Sequence, residues 1–315
     1  MSNNQLEKGG ILLVDKPRDY SSHDVINVCR KVLQTRKIGH SGTLDPMATG
    51  LLVLLVGREA TRRQDFFQQS PKTYSAVLKL GAETDTWDAY GEPTQTAPVP
   101  PLTQAQAEAA VRQLTGPVEQ PIPFFSAKKI AGARMYDLAR KGAPMERKHN
   151  TITVYAWENV LLRAPDEIMF TVTCSCGTYI RSLAWLLAQK LGTAGHLTQL
   201  RRLKTGGLDV KDALDGNRLK KESLDSLRAR MLPPDWQFTP EEEVRRKETA
   251  RRDREHTRLR LEERAQKAAA KAARKEAARL MYEENRRANE IRYQAEKAAF
   301  LAQKDAENNR RGGLP

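Results

Sequence analysis

Short apolar blocks, each closed by Gly, Pro or a polar cluster, run along the first two thirds of the chain. Residues 11–14 (Ile-Leu-Leu-Val) end at Asp15-Lys16-Pro17, the pattern of a buried strand stopped by a turn. Ser21-Ser22-His23-Asp24 then reads as a helix start, with Asp24 three residues after Ser21. Val25, Val28, Val32 and Cys29 give that helix one apolar face. Leu51 to Val56 is unbroken apolar and reads as a core strand, followed by a charged helix over 58–69 with Phe66 and Phe67 inward. Residues 72–81, 151–155 and 167–173 show the alternation and β-branching of strands. Residues 104–114 form an alanine-rich helix closed by Gly116-Pro117. The prolines at 121 and 123 suit an edge rather than a central strand. Short helices are expected over 134–140 and 209–214, and a longer one bearing Leu183, Leu186, Leu187 and Leu191.

The stretch Gly39-His40-Ser41-Gly42-Thr43-Leu44-Asp45-Pro46-Met47-Ala48-Thr49-Gly50 stands just before the core strand. Its glycines permit tight backbone paths, so Asp45 sits on a stiff loop. Read alone, Asp45 is a turn aspartate bonding to nearby backbone. His40, Ser41 and Thr43 add polar reach around the same carboxylate. Three further blocks carry chemistry-bearing residues. They are Lys72-Thr73-Tyr74 with Thr84-Asp85-Thr86-Trp87-Asp88, then Gly177-Thr178-Tyr179-Ile180-Arg181, then Gly195-His196-Leu197 through Leu200-Arg201-Arg202.

In this order and spacing the blocks, with the Lys16-Pro17 step, resemble the TruB family of tRNA pseudouridine synthases over about residues 9 to 220. The resemblance implies an α+β pseudouridine synthase fold: a central mixed, mostly antiparallel sheet flanked by helices. It implies that Asp45 is the catalytic residue and that Arg181 pairs with it, holding it ionised and oriented. Tyr74 stacks on the target base and could help remove the C5 proton, Tyr179 lines the base pocket and Leu200 packs against the flipped uracil. His40 occupies the vacated stack or lies outside the pocket. Lys16 meets phosphate or is solvated, and Arg201 and Arg202 stand between phosphate contacts and simple exposure. Asp45 either attacks C1′ or assists a glycal-type route. Isomerisation recaptures the cut base, so one carboxylate suffices where glycoside hydrolysis commonly uses two. No metal or organic cofactor is signalled: the five histidines are scattered, and Cys174-Ser175-Cys176 has no zinc-site spacing.

Charge sharpens this picture. With 53 Lys and Arg against 39 Asp and Glu, the formal net charge is +14, which favours a polyanionic partner. The expected partner is tRNA, through its T-arm, bound by a monomer. The polar N-terminus and the lack of any apolar run near 18 residues give no membrane span, and the expected location is cytoplasmic.

From Trp236 onward the pattern changes. The β-rich PUA domain that ends many bacterial family members has no counterpart in the pattern here. Residues 240–308 are rich in Ala, Glu, Lys and Arg and lack Pro and Gly beyond Pro240. These are strong helix formers, and the sparse apolar positions keep no heptad. A catalytic domain is expected over 1–235, with a charged helical extension over 236–315. A continuous helix there would be on the order of 100 Å long. Its basic clusters would track an RNA backbone; a disordered or partner-binding tail is the alternative. The function implied is conversion of the T-loop uridine (uridine 55) of tRNA to pseudouridine. The alternatives are a tRNA-folding chaperone and a synthase acting on another RNA.

Overall fold

The computed structural model describes residues 9–126, 129–130, 133–134, 148–163 and 165–240, with 272–283 and scattered positions between 247 and 297. The chain divides into two compact units, Met1–Arg254 and Glu255–Pro315.

The first unit is built on one ten-stranded sheet. Its main path runs β14-β1-β3-β12-β4-β11-β10-β7. In chain order these are β1 (Gly10–Lys16), β3 (Thr49–Val56), β4 (Lys72–Leu80), β7 (Gly116–Pro121), β10 (His149–Arg163), β11 (Glu167–Cys174), β12 (Gly195–Thr205) and β14 (Leu214–Asp215). β2 (Ile38–His40) pairs with β3, and β13 (Leu208–Asp209) with β12, while β5 (Ala82–Thr84) with β6 (Pro93–Thr96) and β8 (Lys129–Ile130) with β9 (Ala133–Arg134) form two separate two-stranded sheets. Most pairs are antiparallel; β1 with β14 and β12 with β3 are parallel. The mixed, mostly antiparallel sheet expected from the sequence is therefore present.

Two cores explain the unbroken apolar run of β3. Leu52, Leu54 and Val56 face the larger core, while Leu51, Val53 and Leu55 face a smaller one with Phe67 and Leu208. A strand buried on both faces cannot alternate. Burying each such leucine contributes about 1.5–3 kcal/mol. Helix α1 (Ser22–Val32) covers the larger core and starts with a capping box: Asp24 N donates to Ser21 Oγ at 3.1 Å and Ser21 N to Asp24 Oδ2 at 2.9 Å. Further along lie α2 (Gly57–Arg62), α3 (Gln64–Gln68), α4 (Gln104–Gln113), α5 (Ile180–Lys190) and α6 (Leu224–Ala229).

Three local expectations change. The helix expected over 58–69 breaks in two at Arg63, whose guanidinium lies 4.6 Å over the Phe66 ring and donates to Pro234 O at 2.6 Å. The helix expected over 209–214 is one 3₁₀ turn, Val210–Asp212, between two short strands. Pairing of Leu214 with Val14 draws that backbone into the sheet. The strand expected over 151–155 extends to β10, fifteen residues interrupted by register shifts. The helix expected over 134–140 lies, past residue 134, outside the described residues. The edge reading of the proline-rich step holds, since β7 ends the sheet.

Trp236 and Phe238 stack with Phe66 and Phe67 against the smaller core. The composition change at 236 is thus not where the packed unit ends. In the second unit residues 272–283 are helical and exposed. Among the described residues, no helix is long and apolar enough to cross a membrane.

Candidate active site

The loop between β2 and β3 hangs on a split in the sheet. β2 pairs with the far half of β3 (Ile38 opposite Val56), and β12 meets its near end (Arg202 opposite Gly50). A Cβ on Gly50, at φ +103°, would fall 2.2 Å from Arg202 O, so only glycine lets β12 approach. The Arg202 side chain fills the split. It donates from Nε to Leu51 O at 2.7 Å and from Nη2 to Gly42 O at 3.1 Å. This guanidinium is 1% exposed. Arg201, on the other face of β12, pairs with Asp15 through two bonds of 2.9 and 2.6 Å. Neither is a free phosphate contact: Arg202 is a buried backbone clamp, and Arg201 is held by a carboxylate.

Both neighbours of Asp45 are pinned. Ser22 Oγ, buried at the start of α1, accepts from Leu44 N at 2.9 Å and donates to Leu44 O at 3.2 Å. Lys16 Nζ donates to Pro46 O at 3.2 Å, and to Pro17 O and Tyr20 O at 2.9 and 2.5 Å. Burial lowers the Lys16 ammonium to about 8, with the Asp45 carboxylate pulling it part of the way back. The expectation that Lys16 meets phosphate or stands in solvent is corrected: it is 0% exposed and its three donors all hold backbone carbonyls. A buried ammonium needs such partners, and the turn at Pro17 supplies them.

Asp45 itself stays one-third exposed, and α5 brings Arg181 to it. Arg181 Nε donates to Asp45 Oδ2 at 2.9 Å and Nη2 to Oδ1 at 3.2 Å, a side-on bidentate pair. The rest of the guanidinium is fixed by Thr86 O at 2.8 Å and Phe125 O at 3.0 Å. A second carboxylate, Asp88 Oδ2, stands 3.6 Å from Nε. Arg181 is thus a buried cation between two carboxylates.

Asp45, Tyr74, Tyr179, Arg181 and Leu200 line one cavity of about 510 Å³, with Lys72 and Arg202. Sheet register puts Leu200 opposite Ala76 and Arg202 opposite Tyr74. Tyr74 is buried, which pushes its phenol up, while nearby Arg202 pulls it back down in part. The phenol therefore keeps its proton at neutral pH, which suits stacking and donation rather than a phenolate base. Lys72 Nζ caps the end of α3 through Gln68 O at 2.7 Å and Ser70 O at 2.6 Å, and burial lowers it to about 8.

His40 is not among the cavity-lining residues. Its Nδ1 accepts from Gly42 N at 3.2 Å, and burial, then Arg202, lower its pKa, so the ring is a neutral imidazole. Tyr179 is the N-cap of α5 rather than a helical residue. Gln120, fully buried on β7, holds that turn from both ends of its amide: Tyr179 N donates to Oε1 at 3.1 Å, and Nε2 donates to Gly177 O at 2.9 Å. Ser22, Asp88 and Gln120 escaped the sequence reading. Only the Thr-Asp-Thr-Trp-Asp block, already singled out, pointed toward one of them.

A cleft of about 510 Å³ with the Asp45 carboxylate held on a guanidinium, walled by tyrosine and leucine, suits a flipped nucleoside. The fold belongs to the pseudouridine synthases. It superposes on a crystal structure of a Cbf5-Nop10-Gar1 complex with TM-score 0.55 at 24% identity, covering 73% of this chain and 61% of that one. The structure of an H/ACA RNP bound to a substrate RNA gives TM-score 0.54 at 21% identity, covering 74% and 62%. The profile described as TruB family pseudouridylate synthase (N terminal domain) matches residues 30–180. The protein named tRNA pseudouridine synthase B from Opitutus terrae is 40% identical over 227 residues, 72% of this chain and 93% of that one. The protein of the same name from Chlamydia pneumoniae is 41% identical over 223 residues, 69% and 92%. This chain belongs to the TruB family of pseudouridylate synthases.

Proposed function

We propose that the protein isomerises uridine to pseudouridine in tRNA, at the T-loop uridine (uridine 55), with Asp45 as the catalytic carboxylate. The observation that carries this reading is the Asp45–Arg181 side-on pair at the wall of a cavity sized for a base and its sugar. In the direct route an Asp45 oxygen bonds to C1′ as the N1–C1′ bond breaks, and uracil leaves with that electron pair. The base turns, C5 bonds to C1′, and Asp45 is released as carboxylate. The C5 proton is then lost and N1 gains one, so the isomer has the atoms of the substrate. Arg181 keeps the carboxylate aimed throughout. Tyr74 and Leu200 hold the free base, for which aromatic stacking is worth about 1–3 kcal/mol. Flipping the base from its stack costs a few kcal/mol, least in a loop.

The family resemblance and the relatives' shared name support tRNA as substrate, and the net charge of +14 supports a polyanion. The extension beyond residue 254 carries fifteen Lys and Arg against ten Asp and Glu, and its reading is a grip on RNA backbone. Asp45→Asn tests the catalytic assignment. It keeps size and the tRNA site but removes the nucleophile, so pseudouridine formation should be lost while tRNA binding survives. Turnover at the normal rate by Asp45→Asn would overturn the assignment. Mapping of pseudouridine in cellular RNA with and without the gene tests the site, and an unmodified T-loop only in the deletion is the expected result.

A further inference from the structure

The loop that meets Arg181 is itself held by a closed set of three side chains. β5 (Ala82–Thr84) carries Glu83, and the turn after it carries Trp87, 1% exposed, at φ +60°. Large side chains rarely adopt that backbone region. The Trp87 ring stacks on Trp185, with centroids 4.9 Å apart and planes at 20°. Both indoles donate to one carboxylate: Trp87 Nε1 to Glu83 Oε1 at 2.9 Å, and Trp185 Nε1 to Glu83 Oε2 at 2.7 Å.

The neighbours of these residues face the site. Thr86, one before Trp87, gives its carbonyl to Arg181 Nη1 at 2.8 Å, and Asp88, one after, stands 3.6 Å from Arg181 Nε. The peptide linking Thr86 to Trp87 carries that carbonyl, so turning Trp87 out of its left-handed conformation would swing the carbonyl off Arg181. Trp185 lies four residues after Arg181 on α5, one turn along the same face. Leu197 N donates to Trp87 O at 3.0 Å and ties the turn to β12.

We infer that Glu83, Trp87 and Trp185 form a latch that sets the position of Arg181 and, through it, the angle of the Asp45 carboxylate. They are positioning residues and touch no substrate. Packing alone would not call for a carboxylate here; two ring N–H donors need two acceptors, and Glu83 supplies one oxygen to each. The inference rests on Asp45 as the catalytic residue.

Glu83→Gln is the decisive variant. Its amide has one acceptor, so one indole meets an NH₂ group instead, while shape is kept. The measurements are the single-turnover rate at saturating tRNA, tRNA affinity, and the circular dichroism of the stacked indoles. The expected result is a rate about tenfold lower, ~1.4 kcal/mol, with affinity unchanged and the indole couplet altered. In a Trp185→Phe background one donor is gone, so Glu83→Gln should then cost less than about threefold. Should Glu83→Gln fail to fold, Trp185→Phe alone carries the prediction, with an about threefold slower step at unchanged affinity. An unaltered rate in the folded variants, or a rate loss matched by lost affinity, overturns the latch. Asp45→Asn run alongside keeps the two claims apart: a fully active Asp45→Asn sinks the catalytic assignment, whatever Glu83→Gln does.

Discussion

Ser22→Ala removes a hydroxyl that is 3% exposed and 22 residues from the loop it serves. The hydroxyl holds both backbone groups of Leu44, so the variant strands one N–H and one carbonyl directly before Asp45. At about 1 kcal/mol for each bond lost, the cost is about 2 kcal/mol. In a unit of this size that lowers Tm by about 4–8 °C. If the whole cost falls on loop order, the chemical step slows by up to about thirtyfold. Val25→Ala supplies the control. Val25 is 1% exposed on the same helix, packs in the larger core, and bonds to nothing in the loop. Losing its two methyl groups also costs about 2 kcal/mol. Thermal unfolding and single-turnover rates at saturating tRNA, well below either Tm, should separate the pair: similar loss of stability, but slower chemistry only in Ser22→Ala. Equal rates at equal stability loss would falsify the claim that Ser22 positions Asp45.

Arg181→Lys keeps the charge but not the side-on fork, and it forfeits bonds to Asp45, Thr86 and Phe125. The step should slow about a hundredfold, two charge-assisted bonds' worth, with tRNA affinity intact; a rate within twofold of the parent contradicts this. Stability should depend on pH in a set way. Lys16 and Lys72 sit at about 8 in the fold and 10.5 unfolded, so the unfolded chain holds more protons between those values and stability rises with pH from about 8. Cys29 and Cys174, pushed up by burial to about 12 from 9.0, act in the opposite sense above pH 9. Urea unfolding should show a gain of at most about 2.7 kcal/mol over the first of these pH units and levelling beyond it; a fall over that first unit contradicts the two buried ammonium groups. Removing 255–315 should weaken tRNA binding and flatten its salt dependence while the saturated chemical step survives. An unchanged salt slope would mean that the extension does not grip RNA.

Local chemistry made several elements readable from the sequence alone. The capping box at Ser21 and Asp24, the two-sided apolar run of β3 and the alternation of β4 each involve residues within a few positions of one another. The candidate cavity was legible for a different reason: its residues fall in four compact blocks whose order and spacing resemble the TruB family, while Asp45 read alone is only a turn aspartate. What a single chain order does not reveal is which polar groups become neighbours at a distance. Lys16, Lys72, Arg181 and Arg202 look like any other basic residues among the 53 in the chain. The split between β2 and β12 along β3 makes Arg202 a backbone clamp, and the turn at Pro17 does the same for Lys16. The second oxygen of Glu83, the amide of Gln120 and the hydroxyl of Ser22 gained their partners only when strands and helices far apart in the chain were packed together. Burying a polar group forces it to find a partner, and which partner it finds is a property of the packed sheet, not of the neighbouring residues.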